Sequence, residues 1–268
     1  HTRSHAAQKV RLMTTYTFPS ITPSSNTFEL VTNTRTFQSP LTNSVQTVAR
    51  KGSLWKASLR FNNLTGDDRA DMQAFLTKLN GQQHRFLLQD HGFVRRGNAP
   101  AVSDAIVVNG AGQTGSILLA RDANLTQADY FKSGDYIAFN NELHIVTADV
   151  DTTGTGTFLY SLPAREIVIG KSYTIESVGD SDFTTIGAAN NNIGTTFTAT
   201  GFGSGTGTVT QAGIPISPPI RKPTDDGDAI DYLYPVLGVF MLAGSTSWDT
   251  QPGRVSNFTI EAVEDVLA

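Results

Sequence analysis

The segment SLWKASLRFNNLTGDDRADMQAFLTKLNGQQHRFLL, residues 53–88, changes its hydrophobic periodicity twice. Apolar and polar residues alternate at its start, which is the period-two pattern of a strand with one buried face. The spacing then becomes i, i+3, i+4, i+7, which indicates a helix with one apolar stripe. Extended chain returns at residues 85–88. We predict a strand, a helix at 66–80 and a second strand, whose core contains Trp55, Leu59, Phe61, Met72, Phe75, Leu76 and Leu79.

The two ends of the predicted helix carry stop signals. Thr65 precedes the first turn, and its hydroxyl is able to accept a hydrogen bond from the first free amides. Asn80-Gly81 follows the last apolar residue and supplies the left-handed conformation that ends many helices. The helix therefore has one apolar face, which we expect to pack across the strand face formed by Trp55, Leu59 and Phe61.

Composition excludes several classes of protein. The chain has 268 residues, enough for two modest domains or for one β domain with insertions. It contains no cysteine, which excludes disulfides, thiolate nucleophiles and cysteine-based zinc or iron–sulfur sites. Only 16% of residues are charged and the net charge is -4, so we predict no specific nucleic-acid partner. The 24 glycines and many threonines favour short strands joined by tight turns.

No run of 18 apolar residues is present, so we predict no membrane insertion. Residues 1–12 lack the apolar core of a secretory signal and precede Met13, which has the position of a natural initiator. We interpret residues 1–12 as an extension or tag.

The middle of the chain has the pattern of short strands at regular spacing, which predicts an inserted β domain at 93–163, a small barrel or sandwich. Asn140-Asn141 separates two of these strands and predicts a tight hairpin turn. Residues 164–213 are rich in Thr and Gly and predict a separate small β module.

The C-terminal segment alternates apolar and polar residues, with Phe258 and Ile260 on the apolar face. Such a strand needs a sheet to join, and the strand containing Trp55 has the matching face. We therefore predict that the two ends pair, so that 13–92 and 214–268 form one discontinuous β-sandwich domain and residues 93–213 are insertions. The predicted fold is mainly β, a sandwich or tube-like domain with one packed α-helix.

Few histidines are present for acid–base chemistry. His84 and His91 flank the strand at 85–90, and with Asp90 they are candidate metal ligands. Their spacing fits no zinc motif, so polar loop residues are the favoured interpretation. His144 lies within a predicted strand, where packing or hydrogen bonding is favoured over catalysis.

Two further segments have a simple structural interpretation. The turn with Asp225, Asp226, Asp228 and Asp231 offers oxygen ligands for Ca²⁺ but lacks the order of a twelve-residue calcium loop. GFGSGTG, residues 201–207, is followed by no lysine and no helix, so a hairpin turn is favoured over a phosphate loop. No nucleophile elbow is present either. We predict that the protein is not an enzyme and has no catalytic, cofactor or metal site.

An ordered series of segments resembles the distal tail proteins of long-tailed bacteriophages. It covers about Tyr16 to Val266 with gaps, and it is the order of the segments, rather than any one motif, that carries the resemblance. The segments are SLWKASLRF (53–61), QAFL (73–76), LNGQ (79–82), RF (85–86), GAGQTGS (110–116), SGDYI (133–137), LH (143–144), VTAD (146–149), PPIRK (218–222) and FTIEAV (258–263).

Residues 170–209 separately look like a Thr/Gly-rich module of phage structural proteins. The family usually continues from a strand ending near Leu162 almost directly to the Pro-Pro-Ile-Arg segment. Residues 164–213 are therefore this sequence's main departure from the family and leave the role of the module open.

The resemblance implies a structural protein of the virion tail, made in the host bacterial cytoplasm. It implies a homo-oligomeric ring, six-fold by analogy, between the tail tube protein and the hub or baseplate proteins. A closed ring would protect exposed strand edges.

Two other functions stay open at this stage. A host-surface carbohydrate-binding or adhesion protein would present aromatic side chains of the Thr/Gly-rich module, for which Tyr173, Phe183, Phe197 and Phe202 are the candidates. Core packing is the simpler explanation of these four. An enzyme that degrades cell-wall polymer is the third hypothesis, and no residue pattern favours it.

Overall fold

A computed structural model describes residues 13–49, 52–100, 106–121, 123 and 125–265 of the chain. The predicted extension at 1–12 lies outside the described residues. The chain divides into two compact units. The described part of the first unit comprises residues 13–29, 54–91 and 238–265, and the second begins at 30–49, continues through 52–53 and includes the described residues between 92 and 237.

The elements of the first unit are β1 (Thr15–Thr17), β2 (Ser25–Val31, which runs into the second unit), β5 (Leu54–Leu64), α1 (Gly66–Leu79), β6 (Arg85–Leu88), β19 (Gly238–Leu242), β20 (Ser247–Gln251) and β21 (Val255–Glu264). Those of the second are β3 (Thr34–Gln38), β4 (Val45–Ala49), β7 (Val107–Val108), β8 (Gly115–Leu118), β9 (Ala120–Arg121), β10 (Gln127–Phe131), β11 (Tyr136–Phe139), β12 (Glu142–Val146), β13 (Val150–Thr152), β14 (Phe158–Pro163), β15 (Ser172–Ser177), β16 (Thr196–Thr198), β17 (Thr208–Ala212), β18 (Ile214–Ile220) and the short 3₁₀ helices Ala164–Glu166 and Phe183–Ile186. The protein is mainly β, as predicted, and α1 is the single α-helix of the described chain.

The first unit is one seven-stranded sheet in the order β1-β6-β19-β21-β5-β2, with β20 also paired to β21. The predicted pairing of the two ends is confirmed, because β21 runs antiparallel to β5 with Ile260 opposite Leu59 and Phe258 opposite Phe61. These four side chains are at most 1% exposed. Alternation on both strands thus places two apolar rows on the same face of the sheet.

Helix α1 begins at Gly66 and ends at Leu79, within one residue of the predicted bounds. Asn80 adopts the left-handed conformation with φ 48° and closes the helix. The expected cap at the other end is absent, since the Thr65 side chain makes no capping hydrogen bond. The helix stripe is buried as predicted and comprises Met72, Phe75, Leu76 and Leu79.

Aromatic rings connect the helix to the sheet. Phe75 of α1 meets Phe86 of β6 edge to face at 5.6 Å between ring centroids. Phe18 lies beside both helix and sheet, 5.0 Å from Phe75 and 5.9 Å from Phe61. The predicted core face at Trp55 is completed by Phe28, whose ring centroid is 6.3 Å away. The rings that contact Phe75 of the helix therefore come from two segments, Phe18 and Phe86, and neither belongs to β5.

The second unit contains a six-stranded sheet in the order β10-β13-β14-β17-β15-β16 and a four-stranded sheet in the order β11-β12-β18-β8. The predicted hairpin turn is present: Asn140 and Asn141 have φ of 52° and 64°, and they connect β11 to β12. Two consecutive positive φ values are what a tight two-residue hairpin requires.

The units differ from the predicted domain boundaries at three points. Residues 30–49 and 52–53, predicted to lie in the first domain, belong to the second unit. The other two differences come from strand pairing. Strand β14 pairs with β17, which joins segment 93–163 and module 164–213 in one sheet, and a single hydrophobic cluster runs through both. Strand β18 pairs with β12 and β8, so residues 214–237 belong to this unit and not with the C-terminal strand. Pairing between distant strands, which local patterns do not reveal, is the reason for these two differences.

Replacement of Ile260 by Ala is expected to reduce the unfolding free energy of the first unit by about 2–4 kcal/mol, because it removes buried methyl groups opposite Leu59 and leaves a cavity. Both tryptophans lie in this unit, so urea titration followed by tryptophan fluorescence measures its stability. Thr259→Ala, at the exposed neighbouring position of the same strand, is the matched control and should stay within about 0.5 kcal/mol of wild type. Equal losses in both variants would contradict the assigned core face.

Candidate assembly surface

Strands β3 and β4 form an antiparallel ribbon, residues 34–49. Thr, Val and Phe favour extended chain, and the turn between the strands contains Pro40 and Asn43, the latter with φ 54°. The Ser39 N–H donates to the carbonyl oxygen of Ser44 at 2.9 Å, and the Asn43 N–H donates to that of Ser39 at 2.9 Å, which closes the turn. Within the described residues, β3 and β4 pair only with each other.

The ribbon is exposed on both faces. Every residue from 32 to 48 is exposed except the half-buried Ser39. Four of these side chains are large and apolar: Phe37 at 55% exposure, Leu41 at 94%, Val45 at 58% and Val48 at 46%. A two-stranded ribbon is at best marginally stable in water, and contiguous exposed apolar side chains are typical of interaction surfaces. The ribbon is therefore the candidate functional site.

The two faces of the ribbon differ in chemistry. Arg35 lies opposite Val48, and Phe37 lies opposite Gln46, so these four side chains share one face. Thr36 and Thr47 lie opposite each other on the second face. Residues 30–53 contain three basic residues and no Asp or Glu, so the segment is positively charged in a chain whose net charge is negative. One face thus carries Phe37 and Val48 beside the basic Arg35. The other face carries threonine hydroxyl groups and Val45, which lies opposite Gln38.

A buried charged cluster in the second unit connects β12 to the segment after β18. Glu142 is fully buried and its carboxylate accepts the backbone N–H groups of Arg221 and Lys222 at 3.0 and 2.6 Å. The Arg221 Nε lies 3.3 Å from the same carboxylate. Burial alone would raise the pKa of Glu142, but the neighbouring His144 and Arg221 outweigh it and hold this pKa below its usual value.

His144 belongs to this cluster, in agreement with its predicted packing role. It is fully buried, its ring stacks on Phe139 at 4.6 Å, and its Nδ1 lies 2.8 Å from the carbonyl oxygen of Pro218. Its Nε2 lies 3.3 Å from Glu142 Oε2, at ion-pair distance. Solvent does not reach the imidazole, so the cluster is a structural support.

Glu142→Gln should destabilise the second unit by about 2–3 kcal/mol at about pH 7, because the variant loses charge-assisted contacts in a buried site. A carboxyl group whose folded pKa is lowered stabilises the protein above its unfolded pKa, and this contribution disappears as the pH falls through the folded pKa. The difference between wild type and variant should therefore shrink as the pH falls to about 3.

Near-UV circular dichroism during urea titration measures this effect, because all tyrosines except Tyr16 lie in the second unit. The exposed Glu166→Gln is the control and should leave stability nearly unchanged at both pH values. A difference between Glu142→Gln and wild type that grows on acidification would contradict the assignment.

The structure does not bring the histidines near Asp90 together as a metal site. His84 Nδ1 accepts the backbone N–H of Thr14 at 3.2 Å, and Asp90 accepts the side-chain amide of Asn26 at 2.7 Å. His91 lies 3.4 Å from Gln89, and its pKa is lowered by burial, with Asp90 acting in the opposite direction. Across the described residues, no group of three or more His, Asp or Glu side chains has an arrangement that could hold a metal ion.

The acidic turn at 225–231 uses its carboxylates internally. Asp226 forms an ion pair with Arg121 at 2.5 Å and accepts the Gly110 N–H at 2.7 Å, contacts that lower its pKa. Asp228 accepts the backbone N–H of Asp225 at 3.0 Å. Burial raises the pKa of Asp231, although backbone hydrogen bonds oppose the shift. These carboxylates stabilise the turn and do not converge on one point.

The glycine-rich segment 201–207 is a packed connection. A Cβ at Gly203 would lie 2.1 Å from the carbonyl oxygen of Ala164, and the Gly207 N–H donates to Ser181 at 2.8 Å. Thr206 donates both its N–H and its hydroxyl to Asp180. The glycines allow close backbone packing. The segment connects β16 to β17, which lie on opposite sides of β15 in the sheet, so it is a crossover connection and the predicted hairpin turn is wrong.

Three of the four predicted adhesion residues are core residues. Tyr173, Phe183 and Phe197 are 2%, 0% and 5% exposed, and the rings of Tyr173 and Phe183 both neighbour that of Phe197. Phe202 is exposed at 78%. The proposed aromatic adhesion surface is therefore wrong for three residues. Strand pairing places Tyr173 opposite Phe197, and the short 3₁₀ helix Phe183–Ile186 buries Phe183 against Phe197.

Two features of the structure were missed in the sequence. The ribbon carries a weak signal, the β-favouring residues Val45, Thr47 and Val48 after a turn with Pro40, without a regular alternation. Asp135 is fully buried and accepts three backbone N–H groups, from Arg96, Gly97 and Lys132, at 2.7 to 2.9 Å. No local pattern around Asp135 predicts these partners, which come from two separate segments.

The chain matches no known protein-family model and no curated protein. Within the described residues, no helix has the length and apolarity needed to cross a membrane.

Proposed function

We propose that this chain is a non-catalytic structural subunit of a bacteriophage tail tip, which assembles into a closed homo-oligomeric ring between the tail tube and the hub or baseplate. The exposed ribbon carries this proposal. It offers two free strand edges and four exposed large apolar side chains, which a neighbouring subunit would cover.

Two other observations support the proposal. The strand–helix–strand core and the C-terminal strand that pairs with it contain segments that carry the resemblance to distal tail proteins, at 53–61, 73–76, 85–86 and 258–263. In addition, His84, Asp90, His144 and Asp226, which the sequence nominated as titratable candidates, are engaged in hydrogen bonds or ion pairs that stabilise the fold. Six-fold symmetry, location in the virion tail, and contact with the tail tube protein and the hub or baseplate proteins follow from the resemblance and belong to the proposal.

Adhesion to the host surface is the weaker alternative. Its argument depended on four aromatic residues, of which only Phe202 reaches the surface.

Phe37→Ser/Val48→Ser, on the apolar face of the ribbon, should raise the concentration needed for half-maximal assembly by about 100-fold or more, because two apolar side chains no longer become buried at the interface. Size-exclusion chromatography with light scattering and native mass spectrometry measure the change. Thr36→Ser/Thr47→Ser, on the other face of the same ribbon, is the matched control and should assemble as wild type does. A wild-type protein that remains monomeric at millimolar concentration would overturn the proposed function.

A further inference from the structure

A surface groove of about 440 Å³ lies in the first unit, beside the exposed side of α1. It is formed between the helix and the segment that follows β1. Its lining residues are Tyr16, Thr17, Pro19, Ser20, Ile21, Asp68, Asp71, Ala74, Phe75 and Lys78.

The groove combines an apolar floor with a charged rim, in which the acidic Asp68 and Asp71 outnumber the basic Lys78. Ile21 and Phe75 are 9% and 5% exposed and line the floor. Asp68 and Asp71 are exposed and lie three residues apart, on the same side of the helix. A ligand with one positive charge beside an apolar side chain would match both features.

The apolar and basic face of the ribbon has this chemistry. Arg35 and Phe37 are two strand positions apart, which is about 6.6 Å, and both point to the same face. Asp71 and Phe75 are four helix positions apart, about one turn, or roughly 6 Å. The spacing between charge and ring is therefore similar on the two surfaces, and the signs of charge are opposite.

We infer that the ribbon of one copy docks in this groove of the next copy, with Arg35 against Asp68 and Asp71 and with Phe37 over the floor formed by Ile21 and Phe75. The inference rests on the proposed function and names the surface that receives the ribbon. The occupant is a second copy because the opposite charge and the matching apolar side chains lie on the ribbon of this same sequence, where Arg35, Phe37 and Val48 are exposed. Two different patches meet in such a contact, which generates a ring when the rotation closes.

Charge reversal tests the inference. Arg35→Glu alone and Asp71→Lys alone should each raise the concentration for half-maximal assembly at least about tenfold, since like charges then face each other. An equal mixture of the two variants should recover to within about threefold of wild type, because each altered ribbon then meets an altered groove and each native ribbon a native one. Asp67→Lys, on the same helix but outside the groove lining, is the matched control and should change assembly less than twofold.

Cysteine cross-linking gives a second readout that does not depend on charge. The chain contains no cysteine, so an introduced thiol is unique. A mixture of Phe37→Cys and Ala74→Cys single variants should form a disulfide-linked dimer of unlike chains under mild oxidation. Phe202→Cys, also exposed, replaces the ribbon variant in the control mixture and should yield no such dimer with Ala74→Cys.

The outcomes separate the docking site from the proposed function. Rescue in the charge-reversed mixture together with the unlike-chain dimer would support the docking. Rings that form while neither charge reversal weakens them, or while the cross-link yield equals the control, would overturn the docking and leave the ring intact. Absence of any oligomer for the wild-type chain would overturn both.

Discussion

The first unit depends on the pairing of β5 with β21, in which Ile260 lies opposite Leu59 and Phe258 opposite Phe61. The same two strands are joined again where the backbone N–H of Trp55 donates to Glu264 at 3.0 Å, 209 positions further along the chain. Closing so long a loop has an entropic cost that rises only with the logarithm of its length, so burial of one continuous apolar row is able to offset it. Helix α1 depends on this sheet, because the apolar stripe of the helix has to be buried against an apolar sheet face.

The second unit depends on a different interaction, the hydrogen bonds that specific backbone groups donate to its buried carboxylates. Glu142 receives two backbone N–H groups from the segment after β18, and Asp135 receives three from two other segments. A buried carboxylate without such partners would be strongly destabilising. These contacts hold separate segments of this unit together. The role of Glu142 and Asp135 is therefore structural.

Much of the first unit follows from the sequence because its signals are local. The change of period between Trp55 and Leu79 gives strand, helix and face together, and Asn80-Gly81 gives the helix end. The cap at Thr65 was expected and is absent, since a residue able to cap does not have to do so. The aromatic contacts of Phe18 and Phe28 were not predicted, because a lone ring in a polar segment has no periodicity.

The boundaries of the second unit and the adhesion residues illustrate what a sequence does not reveal. No local sequence pattern around Phe158 or Thr208 predicts that β14 and β17 pair. This pairing joins the two predicted modules in one sheet. Tyr173 and Phe197 alternate with threonines, but alternation does not show which face is covered. The ribbon was missed for a related reason. Its exposure to solvent makes it a candidate interaction surface, and exposure is a property of the folded chain and not of the local sequence.

The central claim of the proposal is that copies of this chain assemble with one another through the exposed ribbon. Electron-microscopy class averages of the purified wild-type protein test it most directly. The account predicts closed rings of identical subunits in which the ribbon of each copy contacts its neighbour. A homogeneous population of isolated single chains, with the ribbon free in solvent at every concentration, would contradict it.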